Sequence, residues 1–443
     1  MSLWTMPAEL SGWFALLAGG LDVRSQARFL ALLGGMVFAR GRRTVTSWLR
    51  AAGIAEEFRP AYSLLWTVGR RAAELATRLL LGVLRPLARG RPRLLFGLDD
   101  TPTKRYGPCV QGAGVHHNPT PGPARQKFVY GHVWVTLAWL VRRPGWGCIA
   151  LPLRASLYVR RLDVAGLPPE YRWPFRTKLT LAVELLRWLA FRLKHWGVAL
   201  WLAADGAYAR REVLRAARRE NIVVVSRLRK DAALRDLPGP RPKRRRGRPA
   251  IYGKRRIVLA KRAGQRRGWR VEDFELYGRK EARRYKTFLA TWRPAGGVIR
   301  VVLVEQDGSW AAFFCTDPEA SVADVLTAVS DRASIEQAFH DLKEVWGAGQ
   351  QQLRNVWANV GAFHLNLWLH TLVEVWAWER AEGRLIDRRA SPWDDPGRRP
   401  SHADRRRAVQ RESLRQEYRA AGTGRGQARK YRRLARRLLP MVI

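Results

Sequence analysis

Leu94-Leu95-Phe96-Gly97-Leu98-Asp99-Asp100-Thr101 marks the point where the chain changes its period. Upstream, apolar residues recur at helical spacing in Trp13–Leu21, Ala27–Phe38, Thr44–Ala51 and Tyr62–Leu87, with glycine-containing breaks. The octet instead reads as a short buried strand running into two acids. Strands follow at Val133–Val141 and Cys148–Leu153, joined by a turn at Arg143-Pro144-Gly145. Thr177–Trp196 is amphipathic at helical period. Val198–Ala204 is a second buried strand, ending in Asp205-Gly206, and leads into a helix over Arg210–Glu220 and a strand over Ile222–Ser226. Strands, a long helix and then a strand-helix-strand unit predict a mixed α/β sheet with a parallel part.

Beyond Ser226 the pattern breaks. Asp231–Lys254 is too charged and too rich in proline to pack. Alternating segments at Arg256–Lys261, Trp269–Leu276, Tyr285–Trp292, Val298–Val304 and Ser309–Cys315 predict an antiparallel β insertion that rejoins the main sheet. Helices resume at Val322–Ser330, Asp331–Val345 and Val356–Arg380. From Arg398 to Arg437 the chain is dense in arginine, which predicts either disorder or a set of exposed basic helices.

The charge is lopsided. Lys and Arg number 81 against 37 Asp and Glu, a formal net charge of +44. Such a surplus attracts polyanions, of which nucleic acid is the commonest, and Arg grips phosphate with a planar fork. With 47% hydrophobic residues and 20 Trp, there is material for large cores. Three cysteines, Cys109, Cys148 and Cys315, lie too far apart for a disulfide framework or a zinc motif. Met1–Gly19 lacks a basic leader and contains Glu9, and the longest apolar runs, such as Leu79–Leu84, fall far short of the roughly 20 residues that span a bilayer. The expectation is a soluble cytoplasmic protein with no membrane partner.

A third acid comes from Asp331-Arg332-Ala333-Ser334-Ile335-Glu336-Gln337-Ala338-Phe339-His340-Asp341-Leu342-Lys343. At about 100° per residue, Arg332, Glu336 and Lys343 share one helical stripe. Ile335, Ala338, Leu342 and Val345 fall on the neighbouring stripe, which would face a core. One carboxylate between two cations suits a group that helps hold a divalent metal beside phosphates. Ordinary i,i+4 pairing on a surface helix, contributing about 0.2–0.5 kcal/mol, is the plainer alternative. Asp99 and Asp205, at the ends of two strands, stand where open α/β sheets place their sites. Three acids on separate elements can hold hard divalent cations, and two such ions support phosphoryl chemistry.

These residues carry a resemblance. The chain resembles bacterial insertion-sequence transposases with a DDE triad on an RNase H-like fold, and within them the group whose third acid lies in a Tyr-x2-Arg-x3-Glu-x6-Lys pattern after a β insertion. Arg332-x3-Glu336-x6-Lys343 matches that spacing, Asp99-Asp100-Thr101 matches the Asp-x-Thr closing the first strand, and Trp201–Asp205 matches the second strand. The tyrosine position falls on Val329. The resemblance covers roughly residues 90–375. It implies an RNase H-like mixed sheet with helices, interrupted by a β-rich insertion and preceded by an all-α N-terminal domain. The expected division is 1–90, helical and DNA-binding or simply packing; 91–226 and 309–382, the two parts of the catalytic core; 227–308, basic linker and insertion; and 383–443, the arginine-rich tail. It further implies that Asp99, Asp205 and Glu336 are catalytic and hold Mg²⁺ or Mn²⁺, two ions in all, with Asp100 the alternative to Asp99. Arg332 and Lys343 would hold DNA phosphates. The partners implied are double-stranded DNA, as element ends and target, and a second copy forming a homodimer on DNA, in a bacterial nucleoid.

Other residues admit two readings. Arg246-Gly247-Arg248-Pro249 is the core of a minor-groove-binding hook or part of a charged linker. Lys104, Arg105 and Lys127 would sit in a loop near DNA. His116-His117 would lie in a Gly/Pro loop as turn residues. Asp341 and Glu344 lie off the Glu336 stripe and would be solvated. Arg40–Arg50 reads as a basic turn entering a DNA-contacting helix or as a packing helix. Two further functions fit the residues: a structure-selective nuclease without strand transfer, and a catalytically inactive transposase-derived regulator.

Overall fold

A computed structural model describes residues 4–54, 56–118, 125–240, 247–306, 308–388, 392–422 and 426–438. The chain opens with helices α1 (Ala8–Ala18), α2 (Val23–Phe38), α3 (Val45–Ala51), α4 (Arg59–Arg70) and α5 (Ala72–Arg78), the last running through a π-helical turn at Leu79–Leu84. Asp22 and Thr44 cap α2 and α3 with their side-chain oxygens, as short polar residues do before an apolar run. The apolar faces of these helices join one continuous buried core with the sheet.

The sheet starts at β1 (Arg93–Lys104), followed by β2 (Gly114–His117), β3 (Phe128–Arg143) and β4 (Gly147–Tyr158). After a short α6 (Arg161–Val164) come α7 (Lys178–Leu193), β5 (Ala199–Ala204), α8 (Arg211–Arg219) and β6 (Ile222–Leu228). β1 pairs in parallel with β5, and β5 with β6, whereas β3 runs antiparallel to β1, and β4 to β3. The order β4-β3-β1-β5-β6, three parallel strands beside an antiparallel meander, is the mixed α/β sheet expected of an RNase H-like fold. β1 is longer than its apolar run suggests. Its parallel partner stops at Leu98, but pairing with β3 continues through Asp99 to Lys104. Pro102 is tolerated there because β1 is paired on one side only beyond Leu98.

The insertion extends this same sheet. β7 (Leu234–Arg235), β8 (Arg256–Ile257), α9 (Leu259–Gly264), β9 (Arg270–Leu276), β10 (Arg279–Trp292), β11 (Gly297–Gln306) and β12 (Ser309–Cys315) follow in turn, and β12 pairs antiparallel with β6. Arg256–Lys261, expected as a strand, is only two strand residues before α9 begins; its alternation also fits a short helix burying Leu259. His116 and His117 belong to β2, paired with β3, and not to a loop.

The chain closes with α10 (Val322–Glu344), α11 (Val356–Trp376), α12 (Glu382–Leu385), α13 (His402–Gly422) and α14 (Gln427–Leu438). A capping box of Ser321 and Asp324 starts α10, which runs unbroken through both helical segments read from the sequence. α11 is buried nearly all round and crosses α4 where Gly69 and Gly361 meet; a Cβ on either would overlap the other helix's backbone.

The tail departs from expectation. Arg405 and Arg406 on α13 are buried, and Asp404 with them. Arg406 donates to the carbonyls of Val37 (3.0 Å), Met36 (3.2 Å) and Ala39 (2.6 Å) at the end of α2, and to that of Val345 (2.9 Å) just past α10. Helix C-termini expose unpaired carbonyls and partial negative charge, which an arginine fork satisfies. Arg405 pairs with buried Glu374 at 2.5 Å. Arg405 and Arg406 are therefore fixed internally, whereas Arg407, Arg415 and Arg419 of α13 are exposed. In α14, Arg429, Lys430 and Arg432 are exposed.

Candidate active site

Asp99 lies on β1 one residue past the end of its parallel pairing with β5, and Asp205 follows β5 directly. Leu98 is in register with Ala204, and the Asp205 amide donates to the Leu98 carbonyl at 3.4 Å. The two acids thus stand side by side on neighbouring strands, which are about 4.8 Å apart.

α10 crosses the same face of β1. A Cβ on Gly97 would overlap the end of Ile335, so the glycine lets the helix come down onto the strand. Ile335, Ala338 and Leu342 are buried as the stripe predicted, and Val329 is half-buried against the core. On the other side α10 is held by a two-pronged contact from Arg142 Nε to the Asp331 carboxylate (3.1 and 3.0 Å), and Ser330 accepts from the Tyr277 amide at 2.7 Å. So placed, Arg332 bridges two acids, donating to Asp99 Oδ2 at 2.6 Å and to Glu336 Oε1 at 3.1 Å. Glu336 is the exposed member of the group, and Asp99 is mostly buried.

Burial pushes the Asp99 carboxyl up to about 7, against the opposing pull of Arg332; the charge of Asp205 adds to the rise. A carboxylate so poorly solvated gains from a nearby cation.

Asp100 points the other way, as adjacent strand residues must. It accepts from Lys178 Nζ at 2.7 Å and from the Tyr208 hydroxyl at 2.8 Å. Lys178 is the first residue of α7. Tyr208 ends a 3₁₀ turn capped by Asp205, which accepts from the Ala207 amide at 2.9 Å. Burial and the carboxylate of Asp100 raise the Tyr208 phenol, so it stays a donor. Neither partner is identified by the sequence reading. Tyr208 had a signal, three residues after a strand-ending acid, whereas Lys178 is recognisable only in three dimensions.

The donors are carboxylate oxygens from three elements, at the ends of β1 and β5 and on α10, a donor type that suits hard divalent cations. Lys343 lies about 10 Å beyond Glu336 along the helix axis at 1.5 Å per residue. It is half-buried, burial lowers its ammonium, and among the described residues it makes no hydrogen bond or ion pair. Arg105 corrects the reading of a DNA-facing loop: it is buried and donates to His132 Nδ1 (3.0 Å) and to the carbonyls of Gly349 (2.6 Å) and Gln351 (3.1 Å). Lys104 and Lys127 are exposed. His116 is buried against Tyr158, and His117 is exposed. Asp341 is largely buried, not solvated, whereas Glu344 is exposed. Arg248 is exposed; Arg246 lies outside the described residues.

A mixed sheet with acids at the ends of adjacent parallel strands and a third acid on the covering helix is the arrangement of metal-dependent nucleic-acid hydrolases. Residues 17–295 match a family described as DDE superfamily endonuclease, well over half of the chain. The protein belongs to that family. The matched segment contains Asp99 and Asp205 and ends before α10. Comparison with curated proteins gives no match. Among the described residues no helix is long and apolar enough to cross a membrane.

Proposed function

We propose that the protein is the DNA transposase of an insertion sequence, acting on the terminal inverted repeats of its element through Asp99, Asp205 and Glu336. The observation that carries this reading is the bridge from Asp99 through Arg332 to Glu336, beside Asp205. It ties two acids of the motif to one cation, with the third on the adjoining strand. Two Mg²⁺ (or Mn²⁺) ions held by these carboxylates would supply charge that activates a nucleophilic oxygen and stabilises the leaving one.

The residues act as follows. Asp99 and Asp205 fix the ligand oxygens on rigid strands, and Glu336 closes the group from α10. Arg332, released from the carboxylates, holds a phosphate beside the scissile bond with its planar fork. In the first step a water oxygen bonds to phosphorus, the P–O3′ bond breaks, and the freed 3′-oxygen takes up a proton. In the second step that 3′-hydroxyl bonds to a target phosphorus and releases the target's own 3′-hydroxyl. Lys343 and Arg248, with Arg246, contribute phosphate or minor-groove contacts away from the chemistry. Two copies bridge the two element ends.

The test is incubation of the full chain with DNA bearing the element's own ends and Mg²⁺. Cleavage at the ends together with joined products supports the proposal. Cleavage that never yields joined products reduces the protein to a nuclease, and binding without cleavage reduces it to a regulator.

A further inference from the structure

We infer that Asp341, His370 and His402 form a second cation site, separate from the acid triad and suited to one zinc ion, that ties α10, α11 and α13 together. One ligand atom from each residue lies within 4.8 Å of the others. The three come from three helices that sequence alone does not bring together.

His370 supplies the independent sign of a ligand. Its side chain is buried, yet Nδ1 has no hydrogen-bond partner. Buried polar nitrogens without partners are rare, and each calls for an explanation. The ring lines a cleft of about 440 Å³ that Asp341, His402, Asp331 and Ser334 also border. Burial in that cleft disfavours a charged imidazole. A metal takes the neutral form.

His402 is oriented in advance. Its Nδ1 lies 2.5 Å from Glu374 Oε1, and Glu374 is in turn paired with Arg405. A carboxylate fixing the far nitrogen of a ligating imidazole is the usual outer support of a zinc site. His402 Nε2 accepts from Trp346 Nε1 at 2.7 Å, a bond the ion would replace. Asp341 Oδ1 accepts from Gln337 at 3.1 Å and lies 3.5 Å from His340 Nδ1. With Glu374 already balanced by Arg405, the local negative charge facing an ion is that of Asp341.

The donor chemistry selects the metal. Two imidazole nitrogens and one carboxylate suit zinc, whereas Mg²⁺ and Ca²⁺ prefer oxygen alone. Zinc bonds of about 2.0–2.1 Å place tetrahedral ligands roughly 3.3 Å apart, so ligand atoms that lie within 4.8 Å of one another must close by up to about 1.5 Å. The His370 and His402 rings stack with centroids 4.1 Å apart and a 28° tilt, so their in-plane lone pairs run side by side and one ring must turn about its side-chain bonds to share an ion. Asp341 follows Glu336 by five residues on α10, so the ion would anchor the helix that presents the third acid of the triad.

The test uses the full chain, stripped with chelator and titrated with Zn²⁺ under excess Mg²⁺ against a competing chromophoric chelator. One zinc per chain is expected. His370→Ala and Asp341→Asn should each weaken it tenfold or more, and Glu336→Gln should bind as wild type. Co²⁺ on the wild-type chain should give visible d–d bands of a nitrogen- and oxygen-ligated ion, which decides the matter even where a variant fails to fold. Folded wild-type protein that takes up no zinc, or gives no such bands with Co²⁺, overturns the proposal. So does zinc bound undiminished by His370→Ala, or lost in Glu336→Gln, which would put the ion in the triad.

Discussion

Asp99, Asp100 and Arg332 show how one strand position sends adjacent carboxylates to different partners. Asp99 shares Arg332 with Glu336, whereas Asp100 is saturated by Lys178 and Tyr208. Asp99→Asn, Asp205→Asn and Glu336→Gln should each cut cleavage by about a thousandfold or more, or ~4 kcal/mol of barrier, with DNA binding nearly unchanged in a gel-shift titration. Asp100→Asn should retain cleavage at reduced rate; an inactive Asp100→Asn beside an active Asp99→Asn would reverse the assignment. Arg332 competes with metal for the carboxylates, so Arg332→Ala should bind Mn²⁺ more tightly by calorimetry while cleaving more slowly. Tighter binding with unimpaired cleavage would remove its phosphate role. The raised Asp99 carboxyl sets a pH dependence. Its folded value of about 7 lies above the unfolded value near 3.9, so its contribution to stability is full below about pH 4 and is lost as pH rises through 7. The melting temperature of metal-free protein should therefore fall across that window less in Asp99→Asn than in wild type. Metal, which needs the ionised form, should bind more tightly as pH rises through the same window.

At the scale of elements, the approach of α10 to β1 is what brings Glu336 within reach of Asp99. Gly97 is the residue that permits it, since a methyl there would collide with Ile335. Gly97→Ala should destabilise the fold by about 1–3 kcal/mol, seen in a urea midpoint, and should reduce cleavage further than stability alone explains; unchanged activity at full stability would show that α10 can yield. The same crossing of helix and strand marks what sequence can and cannot tell. The strands Leu94–Leu98 and Val198–Ala204 were legible because short apolar runs end in acids, and α10 was legible because its stripe is buried at Ile335, Ala338 and Leu342. The onward course of β1 was hidden by Pro102, which reads as a breaker yet sits where only one edge is paired. The α9 turn was hidden because a six-residue segment fits either period. Lys178, Tyr208, His370 and His402 were hidden for a different reason: their partners lie on other elements, and no local spacing records them.

Across the whole molecule, the +44 charge divides into cations that hold the fold and cations that face solvent. Arg105, Arg405 and Arg406 belong to the first kind, fixed on carbonyls or a buried carboxylate. Composition could not separate them from Arg429 and Arg432 of α14, which are exposed. The two kinds should respond differently to removal. Truncation before His402 strips α2 and α10 of the Arg406 fork and leaves Glu374 buried without Arg405; loss of one partner of a buried pair costs about 3–5 kcal/mol, so this chain should fail to fold. Arg429→Gln with Arg432→Gln should leave the melting temperature unchanged and lower DNA affinity equally on A·T-rich and G·C-rich duplexes. The slope of log affinity against log salt should become shallower by about 0.9 for each DNA phosphate that the variant no longer neutralises. Deleting 243–249 should likewise flatten the slope, and, if Arg246 and Arg248 lie in the minor groove, should also abolish a preference for A·T-rich duplex. Equal losses on both duplexes would make that segment a charged linker, and an unchanged salt slope in every one of these variants would place the DNA path elsewhere on the surface.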